Sequence, residues 1–467
     1  MKTKKYIYSK ITFFLGLILI TTVSCERALS EDTVLATFSP VPDVFIDGFS
    51  SGLEYYPYLE SKHEAFSVDI QEKYSGAASM RFDVPVVGDP AGAYAGAIFR
   101  DDNGGRDLTN YDVLTFWAKA TQSAKINDIG FGQDFGENKF QVSKQGLQLT
   151  TNWVKHIIPI PDASKLVQEK GMFWYAEGPE NGEGYTFWLD EVKFEKLGNI
   201  SQTEASILLG DDKIITSFNG VQTTIGGVTA TFSFVDALDQ TISISPSYLD
   251  FTSSDTDVAT VDDFGVVTAM NPGTTVITAT FNGAPVTGSL TINSLGAFSH
   301  APTPTHDPAN VISLFSDTYT NVPVNYYNGY WAPWQTTLSD DFTVEGDNIL
   351  QYTIFNFVGI EFSAPTVDAT SMTHFHLDAY MPEAIAAGRE LRVLLVDFGA
   401  DGTYGGGDDS RHSTTFRAPT LVSQNWISID LPFSSLTGLG SRSNLAQLIL
   451  EGGDGSKIFI DNIYFHN

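Results

Sequence analysis

Three short runs of sequence decide the fold of this 467-residue chain: VLTFW at residues 113–117, VITAT at residues 276–280 and LRVLLV at residues 391–396. Each run is rich in β-branched, aromatic and aliphatic residues and is bounded by Gly, Asp, Asn or Pro, which is the pattern of a strand between turns. Stretches with the helical period are few and short. The sequence therefore predicts an all-β protein made of tandem β-sandwiches.

The first 25 residues predict export. A positively charged stretch that ends at Lys10 precedes the apolar run ITFFLGLILI (residues 11–20), and TVSC (residues 22–25) follows. The run is shorter than the ~20 apolar residues of a membrane span, so the order is that of a signal peptide. The small residues before Cys25 resemble a lipoprotein box, which implies acylation of Cys25 and a lipid anchor in the outer membrane. The alternative is an ordinary secretory signal with an incidental cysteine.

The composition excludes some partners. Asp and Glu number 56 against 26 Lys and Arg, and the net charge is −30. Nucleic acid requires basic residues that neutralise its phosphates, so we exclude it as a partner. An acidic chain suits neutral or cationic ligands and calcium. Because Cys25 is the single cysteine, no disulfide can form within one chain.

The middle third of the chain differs from its flanks. Residues 198–297 contain no Trp, a single Tyr (Tyr248) and a single basic residue (Lys213). This shift predicts three domains behind the leader. We place the signal peptide at residues 1–24, a tether at 25–40, and the domains at 41–197, 198–297 and 298–467.

The two outer domains look like copies of one another. FIDGFS (residues 45–50) matches FSDTYT (residues 315–320), and the closing run WLDEVKF (residues 188–194) matches FIDNIYF (residues 459–465). Between these runs, Tyr55-Tyr56 corresponds to Tyr326-Tyr327, and Trp153 to Trp426. Correspondences in the same order in one frame indicate a duplication.

Both kinds of domain resemble known families. SSDTDVATV (residues 253–261) with GVVTA (residues 265–269) and PGT (residues 272–274) resembles a group 2 bacterial Ig-like domain, which implies a spacer. The outer copies resemble jelly-roll carbohydrate-binding modules. They share an early strand with an Asp and an aromatic residue, a Trp at the start of a late strand, and a closing strand in which an Asp precedes alternating apolar residues. The predicted order is therefore jelly-roll, Ig-like, jelly-roll.

This combination resembles flavobacterial surface glycan-binding lipoproteins of polysaccharide-utilisation loci, and its modules are similar to those that accompany family 16 laminarinases. The resemblance implies a non-catalytic protein that captures polysaccharide, such as the β-1,3-glucan laminarin, for an outer-membrane transporter and glycoside hydrolases. Glu26, Glu31 and Asp32 loosely resemble an acidic signal for export to the cell surface. An acidic linker that arose by chance is the alternative for these three residues.

Sugars stack their C–H faces on aromatic rings, so exposed Trp and Tyr near turns are the predicted ligand contacts. The segment from Tyr326 to Trp334 packs five such rings among Gly, Pro and Asn, and therefore cannot bury them all. In the first domain we expect one of Trp174 and Tyr175 to be exposed, with Tyr175 beside Glu177. The Trp residues inside apolar strands (117, 153, 188 and 426) are predicted to be core. The candidate ligand residues are Tyr326, Tyr327, Tyr330, Trp331, Trp334, Tyr55, Tyr56, Tyr94, Arg100, Trp174, Tyr175 and Glu177.

Four aspartates predict metal sites. Asp190 and Asp461 have the parity of the core-facing residues in the closing strands, where a carboxylate is costly unless it is paired. Asp47 and Asp317, on the first strands, could meet them, and such oxygen ligands suit Ca²⁺. We expect one structural calcium ion per outer domain; the alternative is that each Asp accepts backbone N–H bonds.

No catalytic motif stands out. The nearest match to the Glu-x-Asp-x-x-Glu pattern of family 16 hydrolases begins at Glu345 and has Leu350 in the last position. His374 and His376 share a strand face, but the sequence does not show a third metal ligand. A divergent glycoside hydrolase or lyase remains one alternative to a binding protein, and a surface adhesin remains another.

Overall fold

The protein is described by a computed structural model over residues 38–235 and 237–467. Strands make up 49% of it, and none of the described residues lies in an α-helix, so the all-β prediction is confirmed. No helix within the described ranges is long and apolar enough to cross a membrane. The predicted signal peptide, the lipidation of Cys25 and the acidic signal (Glu26, Glu31 and Asp32) lie outside these residues.

The first sandwich packs two antiparallel sheets face to face. One sheet has the strand order β3-β4-β11-β6-β9 with β1 added to β11, and the other includes the order β8-β7-β10-β5-β2. Its strands are β1 (Asp43–Phe45), β2 (Leu53–Pro57), β3 (Phe66–Asp69), β4 (Ser79–Val84), β5 (Ala95–Asp101), β6 (Val113–Ala120), β7 (Ala124–Phe131), β8 (Val142–Leu149), β9 (Val154–Pro159), β10 (Gly171–Glu177) and β11 (Tyr185–Glu195).

Alternation along β6 shows why these strands pair into a sandwich. Phe116 and Ala118 are fully buried in the core, while Trp117 and Lys119 point to the opposite face. Burying a Phe side chain stabilises the fold by about 1.5–3 kcal/mol, and the core of this sandwich holds several. The sequence fills one face of each strand with such residues, which forces the two sheets together.

Trp117 and Trp188, two of the four Trp residues predicted to be core, lie outside the core between the sheets, although Trp188 is buried with 9% exposure. Trp117 lies on the outward face of its sheet, where the ring of Tyr74 stacks on it at 3.8 Å. Trp188 also faces outward: its Nε1 donates to Asp69 at 2.9 Å, and the ammonium of Lys119 lies 5.8 Å from its ring. These rings are covered by loops and cations rather than by the second sheet.

The middle segment forms an Ig-like arrangement of short strands. Its sheets have the orders β13-β22-β20-β17, with β21 on β20, and β14-β19-β18; β12, β15 and β16 form a third group. The strands are β12 (Ile200–Ser206), β13 (Asp212–Ser217), β14 (Gln222–Thr224), β15 (Thr229–Phe234), β16 (Ala237–Ile244), β17 (Asp250–Ser253), β18 (Ala259–Val261), β19 (Val266–Ala269), β20 (Gly273–Phe281), β21 (Ala284–Pro285) and β22 (Ser289–Ser294).

The middle segment is joined to both neighbours. Strand β16 pairs with β8 of the first sandwich, with Ser243 opposite Ser143, so one eight-stranded sheet crosses the boundary. On the other side, Phe218 packs against rings of the last sandwich, with Phe298 at 4.8 Å and Phe459 at 5.9 Å. The segment is thus a packed connector between the two sandwiches.

The last sandwich repeats the strand order of the first. One sheet has the order β24-β25-β32-β27-β30 with β23 added to β32, and the other has the order β26-β31-β28-β29. This is the arrangement that the duplication hypothesis predicts. The strands are β23 (Val311–Phe315), β24 (Leu338–Val344), β25 (Asp347–Thr353), β26 (Phe357–Glu361), β27 (His374–Tyr380), β28 (Leu391–Asp397), β29 (Ser410–Phe416), β30 (Trp426–Pro432), β31 (Leu445–Glu451) and β32 (Ile458–His466).

The closing aspartates do not point into the core as their parity predicted. Asp190 pairs with outward-facing Trp117, and Asp461 occupies the same position in the last sandwich, opposite Asp378. The residue after each Asp has a positive φ and forms a β-bulge, which reverses the alternation at that point. Asp190 and Asp461 are nevertheless buried, with 1% and 4% exposure, because loops cover them.

Candidate functional site

A groove of about 720 Å³ lies on the outward face of the four-stranded sheet of the last sandwich. Its floor contains one row of residues that the strand register places side by side across β26, β31, β28 and β29. In order, this row is Glu361, Gln447, Val396 and Arg411. Because neighbouring strands lie about 4.8 Å apart, the row spans about 14 Å between Glu361 and Arg411.

Trp331 forms one wall of the groove, and a glycine makes room for it. A Cβ on Gly359, in β26, would lie 2.5 Å from the ring atoms Cη2 and Cζ2 of Trp331. The indole nitrogen of Trp331 lies 3.4 Å from the hydroxyl of Tyr326. The floor beside Gly359 is aliphatic, since the register places Ile449 opposite it. An aromatic ring, an aliphatic floor and polar groups thus meet in one groove.

Glu361 is held in place by three side chains. Its carboxylate accepts hydrogen bonds from the Tyr326 hydroxyl at 2.7 Å, the Ser363 hydroxyl at 2.7 Å and the Gln447 amide at 3.0 Å. Burial alone would raise the pKa of Glu361, but these hydrogen bonds outweigh burial and lower the pKa below its usual value. Glu361 is therefore an ionised acceptor at neutral pH.

The opposite wall comes from the acidic, glycine-rich loop that precedes β29. Tyr404 is 76% exposed at the groove mouth. Asp409 accepts the backbone N–H of Gly405 at 2.8 Å through one oxygen, while its other oxygen, Oδ1, is buried without a hydrogen-bond partner among the described residues. A buried acceptor of this kind is costly unless a donor reaches it.

The predicted residues of the last domain divide into two groups. Tyr326 and Trp331 line the groove, as residues that bind a ligand there must. Tyr327 instead packs against the core and donates its hydroxyl to the carbonyl of Leu314 at 2.8 Å. Tyr330 and Trp334 are 55% and 75% exposed but lie outside the groove lining.

Sequence reasoning missed most of the floor. Gln447 is the one polar residue in the apolar run LAQLIL (residues 445–450). A polar residue within such a run indicates a position that faces away from the core. Glu361 sits at the end of an apolar strand and carried no comparable signal. Arg411 was not among the candidate residues, but it lines the groove from β29.

The matching sheet of the first sandwich also has an outward face with aromatic rings. A Cβ on Gly96 would lie 2.7–2.8 Å from the rings of Tyr94 and Tyr58, so both rings cover this glycine. The Tyr56 hydroxyl donates to Asp102 at 2.6 Å, and Arg100 forms ion pairs with Asp102 and Asp134. The predicted residues Tyr56, Tyr94 and Arg100 therefore do share one outward face.

Other residues predicted to contact a ligand in the first domain have side chains that are buried or packed on the core. Tyr175 is fully buried in the core, and Glu177, at 2% exposure, accepts the Tyr185 hydroxyl at 2.9 Å and the Asn127 N–H at 2.6 Å. Trp174 does face outward, but it is only 6% exposed, and its Nε1 donates to the carbonyl of Val142 at 3.2 Å. Tyr55 packs on core rings, so its alternation partner Tyr56 is the outward residue.

The aspartates proposed as calcium ligands behave differently in the two copies. In the first domain, Asp190 accepts the backbone N–H groups of Tyr74 and Ser75, and Asp47 accepts those of Ala77 and Ala78. Both carboxylates thus bind the same loop, which is the alternative that the sequence left open.

In the last domain the corresponding carboxylates converge. Asp461, Asp317 and Asp347 line one cavity of about 200 Å³. Burial, together with the negative charges of Asp347, Asp378 and Asp317, raises the pKa of Asp461 to about 7. Such mutual repulsion is the electrostatic condition that a bound cation relieves.

Comparisons with known proteins agree with this fold. Residues 42–196 match the family model of carbohydrate binding domain 30, and residues 234–291 match the bacterial Ig-like domain (group 2). A search of the curated proteins finds no match. The chain therefore contains a region similar to a carbohydrate-binding module and a region similar to an Ig-like domain.

Several solved structures match parts of this chain. The family 30 carbohydrate-binding module of a cellulosomal cellulase of Clostridium thermocellum is 15% identical, with a TM-score of 0.27, over 34% of this chain and 97% of that one. The family 11 module of the same organism, in complex with a β-1,3-1,4-mixed-linked tetrasaccharide, is 18% identical, with a TM-score of 0.25, over 34% and 96%. A tandem of two family 22 modules from Paenibacillus barcinonensis is 11% identical, with a TM-score of 0.22, over 93% and 99%.

Proposed function

We propose that this protein binds polysaccharide and that the groove of the last sandwich is a binding site. The observation that carries the proposal is the row from Glu361 to Arg411 in a groove that the ring of Trp331 walls on one side. A pyranose ring offers an apolar C–H face to an indole and hydroxyls to a carboxylate, an amide and a guanidinium. The match of residues 42–196 to a carbohydrate-binding family supports the same function for the first sandwich.

The proposed ligand class is a neutral glucan such as β-1,3-glucan (laminarin). Glu361 and Asp409 line the groove against a single cation, Arg411, so an anionic polysaccharide would be repelled. With the outward face of the first sandwich as a second site, one chain would hold a long polymer at two points. Two weak sites on one chain gain affinity by effective concentration.

We propose that binding is not coupled to catalysis. A glycoside hydrolase needs a general acid whose pKa is raised, so that the carboxyl group is protonated at the working pH. The pKa of Glu361 is lowered, which is the opposite condition. Pure protein is expected to release no reducing ends from laminarin, and turnover would favour the alternative of a divergent hydrolase or lyase.

Affinity electrophoresis on gels that contain laminarin, mixed-linkage glucan or a charged polysaccharide tests the binding site. Trp331→Ala is expected to reduce retardation on the neutral glucans by about tenfold in affinity, or ~1.4 kcal/mol. Trp334→Ala is the matched control, because it removes an exposed Trp outside the groove lining. Equal affinity of the parent and Trp331→Ala would place the ligand elsewhere.

A structural Ca²⁺ ion in the last sandwich is also proposed. The carboxylates of Asp461, Asp317 and Asp347 fit such an ion, since the three residues line one cavity and Asp461 is buried. The ion would neutralise their mutual repulsion. In the first sandwich, the corresponding carboxylates of Asp47 and Asp190 accept backbone N–H groups of the loop from Tyr74 to Ala78.

Finally, we propose that acylated Cys25 anchors the protein in the outer membrane at the cell surface. There it would deliver glycan to an outer-membrane transporter and to glycoside hydrolases of the same locus. Metabolic labelling with a clickable fatty acid tests the anchor: the parent is expected to incorporate label and Cys25→Ser to lose it. Co-purification of the transporter with the labelled parent tests the partner.

A further inference from the structure

A histidine cluster lies on the outward face of the other sheet of the last sandwich. Four of the eight histidines of the chain meet there, although they come from distant positions in the sequence. The ring of His466 stacks on His306 at 3.8 Å and on His374 at 5.1 Å, and it lies 6.4 Å from the ring of His376. Asp430, from the neighbouring strand β30, completes the cluster.

Three side chains of the cluster present donor atoms to one point. Nε2 of His466 lies 2.8 Å from Oδ1 of Asp430, and Nδ1 of His376 lies 3.5 Å from the same oxygen. Donor atoms of the three residues all lie within 4.8 Å of one another. Tetrahedral Zn²⁺ with bonds of about 2.0–2.1 Å holds its ligand atoms about 3.4 Å apart, so only small side-chain movements are needed.

The second nitrogen of each ring is also oriented. Nδ1 of His466 lies 3.1 Å from the carbonyl oxygen of Asn467, and Nε2 of His376 lies 3.5 Å from Oδ1 of Asp378. Asp378 is 1% exposed and is fixed in turn by the side-chain amide of Asn462 at 2.9 Å. An acceptor behind each imidazole sets the tautomer that leaves a lone pair for a metal, as in many zinc sites.

The first sandwich provides an internal comparison. The strand registers identify the positions that correspond to His376, His466 and Asp430. In the first sandwich these positions hold Thr115, Glu195 and Ile157, respectively. There Glu195 is neutralised by Lys155 at 2.8 Å. The common sandwich therefore does not require imidazoles at these positions, and the cluster is a property of the last domain alone.

We propose that His376, His466 and Asp430 bind one Zn²⁺ ion on the last sandwich. The ion is reached from solvent, because the Asp430 side chain is 47% exposed while that of His466 is 5% exposed. It would tie the end of the C-terminal strand β32 to β27 and β30. The rings of His306 and His374 stack on His466 beside this site.

Isothermal titration of the full chain with Zn²⁺ tests the proposal. We expect one saturable site per chain, with affinity at least tenfold weaker in His376→Gln and in Asp430→Asn. His63→Gln, which removes an exposed histidine of the first sandwich, is the matched control and is expected to bind like the parent. Calcium in excess is expected to leave zinc binding unchanged, since imidazole nitrogens do not suit Ca²⁺.

Substitution of Co²⁺ gives a readout that does not depend on the variants. The parent is expected to show the visible ligand-field bands of a tetrahedral site with nitrogen ligands, and to melt at a higher temperature when it is loaded with Zn²⁺. Absence of a saturable zinc site in the parent would overturn the proposal. So would zinc binding that survives both His376→Gln and Asp430→Asn in folded protein.

Discussion

Trp331 covers Gly359: an added Cβ on the glycine would lie 2.5 Å from the ring atoms Cη2 and Cζ2 of Trp331. Contacts of this length do not occur between a Cβ and a rigid ring, so one of the two residues must move. The glycine is therefore the reason that the Trp331 ring can lie where it forms a wall of the groove. The ring can occupy this position because Gly359 has no side chain.

Gly359→Ala is expected to weaken glucan binding by about as much as Trp331→Ala, that is, by about tenfold or more. The added methyl group displaces the indole without removing it. Affinity electrophoresis measures the loss, and Gly226→Ala is the control because a Cβ there meets no atom within 4 Å. Unchanged affinity in Gly359→Ala would show that the ring position does not matter for binding.

Glu177 is expected to make the first sandwich less stable as the pH rises. Burial raises the pKa of Glu177 from about 4.5 to about 7, so the native state binds a proton that the unfolded state has released. This stability is fully present below pH ~4.5 and is lost as the pH rises through ~7. Glu177→Gln is expected to remove a pH dependence of about 1–3 kcal/mol between pH 5 and pH 8.

Urea unfolding at several pH values measures this dependence as the difference between parent and variant. Glu183→Gln, at an exposed position nearby, is the control and is expected to keep the pH dependence of the parent. A Glu177→Gln curve parallel to that of the parent would contradict the raised pKa.

Calcium is expected to raise the melting temperature of the parent and EGTA to lower it. Burial, together with the negative charges of neighbouring carboxylates, raises the pKa of Asp461 to about 7. The calcium effect should therefore grow above that pH, where Asp461 is ionised and the ion relieves the repulsion. Asp461→Asn is expected to lose the calcium response. Asp190→Asn, the same position in the first sandwich, is expected to keep it, and loss of the response in both variants would contradict a single site in the last domain.

The sequence was sufficient for features that depend on local pattern. Alternation and turn residues gave the all-β class, and the crowding of rings between Tyr326 and Trp334 correctly required that some of them be exposed. Local pattern did not predict contacts that depend on the register between paired strands. Glu361 and Gln447 become neighbours only through the pairing of β26 with β31, and residues far apart in the chain make that pairing.

Three further features also depend on contacts between residues that are distant in the sequence or on a local backbone irregularity. Alternation shows that Trp174 and Tyr175 face opposite ways, but only the position of the second sheet decides that Tyr175 is core. The bulge after Asp190 reverses the parity of its strand, and Glu191 carries no sequence signal for the positive φ it adopts. His374 and His376 were seen as a pair, while His466 and Asp430 join them only in the folded sheet.

Phe218 is expected to couple the middle segment to the last sandwich. It is 2% exposed and packs against Phe298, Tyr380 and Phe459 of the last domain. Phe218→Ala leaves a cavity at this junction, and a buried Phe→Ala change costs about 3–5 kcal/mol. Because the lost contacts cross the junction, the last sandwich is expected to melt earlier and the chain around Phe298 to become more sensitive to protease.

Phe232→Ala separates this coupling from a general loss of stability. Phe232 is 4% exposed in the core that the middle segment shares with the first sandwich, and it is not part of the cluster around Phe218. The variant is expected to destabilise the middle segment and leave the melting of the last sandwich in place. Calorimetry of both variants decides: if Phe218→Ala does not lower the transition of the last sandwich, the two domains are in contact but are not energetically coupled.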